Sequence, residues 1–402
     1  MFARKYWASL PCSGGSRSRY LSFLGLALIL VLAACSFAPV PARPGAIAPA
    51  TVEVTDVVGR SVSVTAPIQR MLLGEARLIY LISLLDREDP FKRVVGMPAD
   101  LRTADLDTYN AYREKFPRVT QIPELGAISA GAFSVEKAIE LKPELMVLSF
   151  DTYGPARESG LIDQLAKAGI PSVVIDFRQF PLENTVPSAH LMGRLLDRRE
   201  AAQRFADYYT REVNKVYSRV DALKPPLPTS FILRAPGLLE CCATFGRANL
   251  GLIAERAGGI NLGSGRVPGW AGTLNPEQVL TSDPDLIVAT GSNWTNSPGQ
   301  QSDVRFVSLG YAARSEDARA QLIRLTEQPG WGNLKAVRSH RVHAIWHQFY
   351  NSPYHFVALQ QFARWIHPDK FADLDPAATF REFHQQFLPI PYSGTFSVSI
   401  GE

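Results

Sequence analysis

The sequence predicts an α/β fold of two lobes, each a parallel-type sheet flanked by helices, joined by a single long spine helix. Three observations carry that expectation. Short apolar strands alternate with helical segments through most of the chain, the pattern of parallel sheets. An ungapped internal repeat sets SVEKAIELKPELMVLS (134–149) against NPEQVLTSDPDLIVAT (275–290), pairing Glu136 with Glu277, Pro143 with Pro284, Leu145 with Leu286 and Val147 with Val288. Between the copies, Ala202, Phe205, Tyr209, Val213, Val216, Val220 and Leu223 fall three and four apart, which is one face of a helix over Asp197–Leu223. Asp197 with Glu200 reads as a capping box at its start, and Pro225-Pro226 forbids continuation. At ~1.5 Å per residue such a helix spans roughly 40 Å, enough to pass from one lobe to the other.

The ends of the chain set its compartment. Arg4, Lys5, Arg17 and Arg19 precede the apolar run Leu21–Leu32, and Leu32-Ala33-Ala34-Cys35 reads as a lipobox. The run is shorter than the ~20 residues of a membrane span. Residues 1–35 are therefore expected to be a lipoprotein signal, with Cys35 as the lipidated residue and acyl chains such as palmitate holding the protein to a membrane from the extracytoplasmic side. Residues 36–50, rich in Pro and Ala, form a tether; 51–184 make the first lobe, 185–226 the linking segment and 227–402 the second lobe. Hydrophobic residues at 46%, charged residues at 20% and a net charge of +4 describe ordinary globular material and give no reason to invoke nucleic acid. Once Cys12 leaves with the signal, only the adjacent Cys241 and Cys242 remain in the mature domain, as a vicinal disulfide or as two buried thiols.

Taken in order, Val52–Val64 alternates and turns at Gly59-Arg60, a hairpin. Met71–Leu73 is a buried strand whose turn, Gly74-Glu75-Ala76-Arg77, leads into a helix over Leu78–Leu85. Turns of this kind face the ligand side of an open sheet. Phe91–Met97 reads as a strand and Pro98–Phe116 as a long functional loop. The first repeat ends in the loop 150–153, followed by a helix over Leu161–Ala168, Gly169 as its stop and the strand Ser172–Ile175. Beyond the spine come a strand at Ser230–Leu233, a loop at Leu239–Asn249, a helix at Leu250–Ala257 and the Gly-rich stretch Asn261–Thr273. The second repeat is followed by the loop Gly291–Trp294 and a mixed inserted segment, 304–324. A helical turn at Leu334–Val337, a strand at Arg341–Trp346, the segment HQFYNSPYH (347–355), a helix at Phe356–Ile366 and an apolar tail complete the chain.

The lipobox, the repeat about a spine and this order of segments resemble the class III substrate-binding lipoproteins of ABC importers, which take up ferric siderophores, haem or cobalamin. The resemblance spans roughly Val52 to Phe387, and ECCATFGR (240–247) and WHQFYNSPYH (346–355) are similar to an iron-complex subgroup. It implies a monomer with no resident cofactor that holds one iron chelate in a largely preformed cleft between the lobes and delivers it to a membrane permease dimer. It also implies that Glu136 and Glu277 dock onto the permease, one per lobe.

A large, often anionic ferric siderophore calls for guanidinium donors and flat aromatic walls. On turns expected to face the cleft these are Arg77, Arg102 and Arg178 in the first lobe and Arg247, Trp270, Trp294, Phe349, Tyr350 and Tyr354 in the second. His343, His347 and His355 lack the spacing of a metal site and read as polar cleft or surface residues, although Tyr350 beside them would suit haem iron. Haem or cobalamin is the alternative ligand. An enzyme is the remote alternative, since the chain has no Gly-rich phosphate loop and no dinucleotide fingerprint.

Overall fold

The computed structural model describes residues 49–294 and 306–401. The signal segment with Cys35, residues 36–48 of the tether and residues 304–305 of the inserted segment lie outside the described residues.

The hairpin forms from Ala50–Thr55 and Ser61–Ala66, with Val52 opposite Val64 and Gly59 in the left-handed region at φ +81°. It is tied to the first lobe by Asp56, whose carboxylate accepts the Val174 N–H at 3.2 Å and pairs with Arg60 at 2.7 Å. The first sheet is fully parallel, in the order Val94–Gly96, Met71–Leu73, Leu145–Ser149, Ser172–Ile175. All residues of its last three strands are buried, as continuous apolar runs require when helices cover both faces. The second sheet runs Ser397–Ser399, Val342–Trp346, Leu286–Gly291, Thr229–Leu233, Ile260–Asn261. Only its edge strand Ser397–Ser399, drawn from the tail, is antiparallel to its neighbour.

The repeat is structural. Helix Val135–Glu140 precedes the strand Leu145–Ser149, and helix Pro276–Ser282 precedes Leu286–Gly291. Ser134 and Asn275 cap the two helices, accepting the N–H of Lys137 and of Glu277. Glu136 and Glu277 therefore occupy the same helical position, both exposed, one on each lobe.

The spine differs from expectation in two respects. It runs Arg199–Val220, about 33 Å long, and Asp197 does not cap it: Asp197 lies at φ +55° and the cap residue is Arg198, with no side-chain bond. A second helix, Pro181–Leu195, packs along it, so the link is a helical hairpin that starts at 181 rather than a single helix in a segment starting at 185. The apolar stripe does seat as read: the spine packs on helix Ile79–Leu85 of the first lobe and on helix Phe356–Ile366 of the second. Phe205 is fully buried, its ring 5.9 Å from Tyr209 and 6.2 Å from both Phe383 and Phe387.

Several expected loops are ordered elements. Residues 98–116 form helices Asp100–Ala104 and Leu106–Lys115, anchored by buried Leu101 and Tyr112, and 150–153 is the first turn of helix Phe150–Glu158. The expected strand Phe91–Met97 shortens to Val94–Gly96. The stretches 239–249 and 261–273 each supply a three-residue strand, Ala243–Phe245 and Ala271–Thr273, which pair antiparallel. The inserted segment carries helix Ser315–Leu325. Cys241 and Cys242 are joined by a disulfide, which resolves the alternative left by the sequence. Among the described residues no helix is long and apolar enough to cross a membrane.

Candidate functional site

The carboxyl ends of both sheets turn towards one cleft, and the residues just beyond strand ends build it. On the first-lobe wall Glu75 follows the strand Met71–Leu73. Its Oε1 takes Arg77 Nη2 at 2.6 Å and Arg178 Nη1 at 2.8 Å, while Oε2 accepts the Ser149 hydroxyl at 2.9 Å. Arg77 Nε also donates to Asp100 Oδ2 at 3.0 Å. Arg178 Nε approaches Asp151 Oδ2 at 3.0 Å, an ion contact without hydrogen-bond alignment. Asp176, just past the strand Ser172–Ile175, accepts the N–H groups of Arg178, Gln179 and Phe180 at 2.8 to 2.9 Å. Burial opposes the Glu75 charge, but Arg77, Arg178 and Ser149 outweigh it and hold the carboxyl below its usual range. Asp100 and Asp151 are pushed up, chiefly by burial, with the Glu75 charge adding to it.

The second-lobe wall is a short relay. The Ala235 N–H donates to Thr290 Oγ1 at 2.8 Å, His347 Nδ1 meets the same oxygen at 2.9 Å, and His347 Nε2 lies 3.0 Å from the Tyr350 hydroxyl. Thr290, His347 and Tyr350 thus form one hydrogen-bonded chain across the wall. His347 stays neutral well below the usual histidine range, first through burial and then through Arg234, Arg77 and Arg178. Arg178 lies over the Tyr350 ring at 5.5 Å. Arg234 stands 4.8 Å from the Trp270 ring centre and 5.7 Å from that of Phe245. Its Nε is buried without a hydrogen-bond partner, and it makes no ion pair among the described residues.

The structure thus brings together Arg77, Arg178, Trp270, Trp294 and Tyr350, with Trp294 set edge-on to His347 at 5.0 Å. The other expected ligand residues lie elsewhere. Arg102 is exposed and paired with Glu124 at 2.7 Å, and Arg247 is exposed with no ion pair among the described residues. Phe349 points into the aromatic core against Trp346 and Phe380, and Tyr354 packs there against Tyr80 and Phe380. Of the histidines, only His347 belongs to the cleft: His343 bonds Ser399 and stacks on Trp365, and His355 meets the Tyr209 hydroxyl at 2.7 Å. No group of potential metal ligands forms among the described residues. Glu75, Arg234, Thr290 and Asp151 were not singled out from the sequence, yet each lies within one or two residues of a strand's carboxyl end, or closes it.

Hydrogen bonds from one lobe to the other flank the cleft. Asn249 N–H donates to Gln179 O on one flank, and Gln348 to Ala104 O and Asn293 to Asp107 on the other. A cavity of about 10 Å³ on the first-lobe wall is lined by Glu75, Arg77, Ser149, Asp176, Arg178 and Asn351.

Residues 96–347 match the family model described as periplasmic binding protein. No curated protein sequence is significantly similar to the chain. Among solved structures, the TroA-like periplasmic binding protein FepB from Veillonella parvula is 28% identical, with a TM-score of 0.79 over 87% of this chain and 99% of that one. CeuE of Helicobacter pylori in a nickel–histidine complex is 16% identical, with a TM-score of 0.61 over 85% and 96% of the two chains. A periplasmic heme binding protein from Pseudomonas aeruginosa is 17% identical, with a TM-score of 0.52 over 75% and 94%. The last two show likeness of fold. With two parallel-sheet lobes, a helical link and a cleft at the strand ends, this chain belongs to the periplasmic binding protein family.

Proposed function

We propose that the protein is the lipid-anchored solute-binding component of an ABC importer, which captures a ferric chelate between its lobes and hands it to the permease. The observation that carries this reading is the gathering of cations and aromatic rings at the strand ends: Arg178 over Tyr350, Arg234 over Trp270, Arg77 beside Arg178 on the shared Glu75, and Trp294 edge-on to His347. Guanidinium forks and aromatic faces suit the oxygen-rich, flat surface of an iron chelate better than they suit a bare ion. Binding needs no covalent chemistry. Glu136 and Glu277, exposed at equivalent positions of the two lobes, supply the pair of charges that a twofold permease would read.

Haem is the second reading, favoured by the relay behind Tyr350. The Tyr350 hydroxyl lies 3.0 Å from His347 Nε2 at the cleft, and tyrosine is among the side chains that ligate haem iron. The deciding experiment is a tryptophan-fluorescence titration with ferric hydroxamates, ferric catecholates, ferric carboxylate chelates, haem and cobalamin. Saturable quenching by a ferric chelate but not by its iron-free form, lost in Arg234→Ala, supports the proposal. Saturation by haem alone, abolished in Tyr350→Phe, moves the assignment to haem, and no quenching across the panel refutes both.

A further inference from the structure

The cleft's charge balance narrows the ligand class, an inference that rests on the iron-chelate reading above. Counted by its guanidiniums alone, the site looks built for a polyanion. The first-lobe wall contradicts that. Arg77 and Arg178 are both held by one Glu75 oxygen, at 2.6 and 2.8 Å, and each has a second acid, Asp100 at 3.0 Å and Asp151 at 3.0 Å. Three carboxyl groups thus hold two guanidiniums. Glu75, Arg77 and Arg178 keep only 10 to 15% of their side-chain surface exposed, so these pairs are screened little by solvent. Every member of the network belongs to the first lobe. The second-lobe wall offers Arg234, with no acid paired to it among the described residues, and a neutral His347.

We propose that this cleft selects ferric complexes of low net charge, of the hydroxamate class, and that Glu75 is the specificity-determining residue that disfavours polyanionic catecholate complexes. A ferric tris-hydroxamate carries no net charge and a ferric tris-catecholate three negative charges. Bringing the latter against the first-lobe wall sets it beside acids whose cations are already engaged. Arg234 is left to receive a single polar or anionic group. Glu75 touches the ligand only through the field and placement of its arginines, which makes it a positioning residue.

The test uses the full chain purified in detergent and three probes: a neutral ferric tris-hydroxamate, one bearing a free ammonium group, and a ferric tris-catecholate. The wild type is expected to bind both hydroxamates at least about tenfold more tightly than the catecholate. Glu75→Gln is expected to shrink that ratio by about tenfold, mainly by tightening catecholate binding. Asp151→Asn, at a more exposed acid, moves the ratio the same way and serves if the buried substitution impairs folding. Tighter catecholate binding by the wild type, or a ratio unchanged in both variants, overturns the inference while leaving the iron-chelate reading standing. Failure of all three probes to bind overturns both.

Discussion

Asp105 joins helices Asp100–Ala104 and Leu106–Lys115 and is 1% exposed, with the Tyr80 hydroxyl donating to it. Burial raises its pKa to about 7, against hydrogen bonds from Thr108 and Tyr80 and with help from Asp107. In the unfolded chain an aspartate titrates near 3.9, so between about pH 4 and 7 the folded protein keeps a proton that the unfolded chain has lost. Stability from this group is thus full below about pH 4, declines as pH rises and levels off above 7. The whole swing is about 4 kcal/mol, and the part between pH 5.5 and 8 is about 2 kcal/mol. Buried histidines act in the opposite sense. His355 and His384, with pKa values pushed down to about 4 by burial, stay neutral when folded and cost stability as pH falls below about 6.5. Asp105→Asn separates the two, because it keeps the carbonyl acceptor for Tyr80 and cannot ionise. Urea unfolding of both proteins at pH 5.5 and 8, followed by tryptophan fluorescence, should show the variant gaining about 2 kcal/mol relative to wild type across that interval. A wild-type to variant difference that is the same at both pH values refutes the assignment.

Phe205→Ala on the spine should cost about 3 to 5 kcal/mol in the same urea assay, since its ring packs against Tyr209, Phe383 and Phe387 with no exposed surface; a loss below about 1 kcal/mol would place the seam's strength elsewhere. Glu136→Ala and Glu277→Ala should each lower ligand uptake by cells, and together abolish it, while leaving affinity in solution unchanged; weakened binding would show that these exposed carboxylates serve the cleft and not a permease. Cys35→Ser should release the protein from the membrane fraction and remove the acyl mass from its mature N-terminus, and continued membrane association would refute lipid anchoring.

Much of the architecture was legible because it is written in local chemistry. The repeat placed two helix–turn–strand units correctly, and the helix Phe356–Ile366 and the strand Ser172–Ile175 appear within the bounds their apolar pattern marked. The spine's apolar face was legible from its period, whereas its first residue was not. Asp197 matches a cap by type, but the tight connection from the preceding helix turns its backbone to φ +55° and takes its side chain out of reach.

What the chain's own pattern carried was the two-lobed plan, the compartment suggested by its ends and the rule that function gathers at strand ends. What tertiary structure decided was partnership. Strands Ala243–Phe245 and Ala271–Thr273 are too short to show a period, and each exists only through the other. Arg102 and Arg234 are the same residue type, yet one, inside a helix, turns to an exposed glutamate and the other, just past a strand end, to two aromatic rings in the cleft. Phe349 and Tyr350 are neighbours in one 3₁₀ turn, where successive side chains point about 120° apart, so one enters the aromatic core and the other the ligand cleft. Nor could residue types alone show that Glu75 holds both first-lobe arginines, because those contacts, Glu75 to Arg178 above all, form only when separate strands of one sheet bring their ends together.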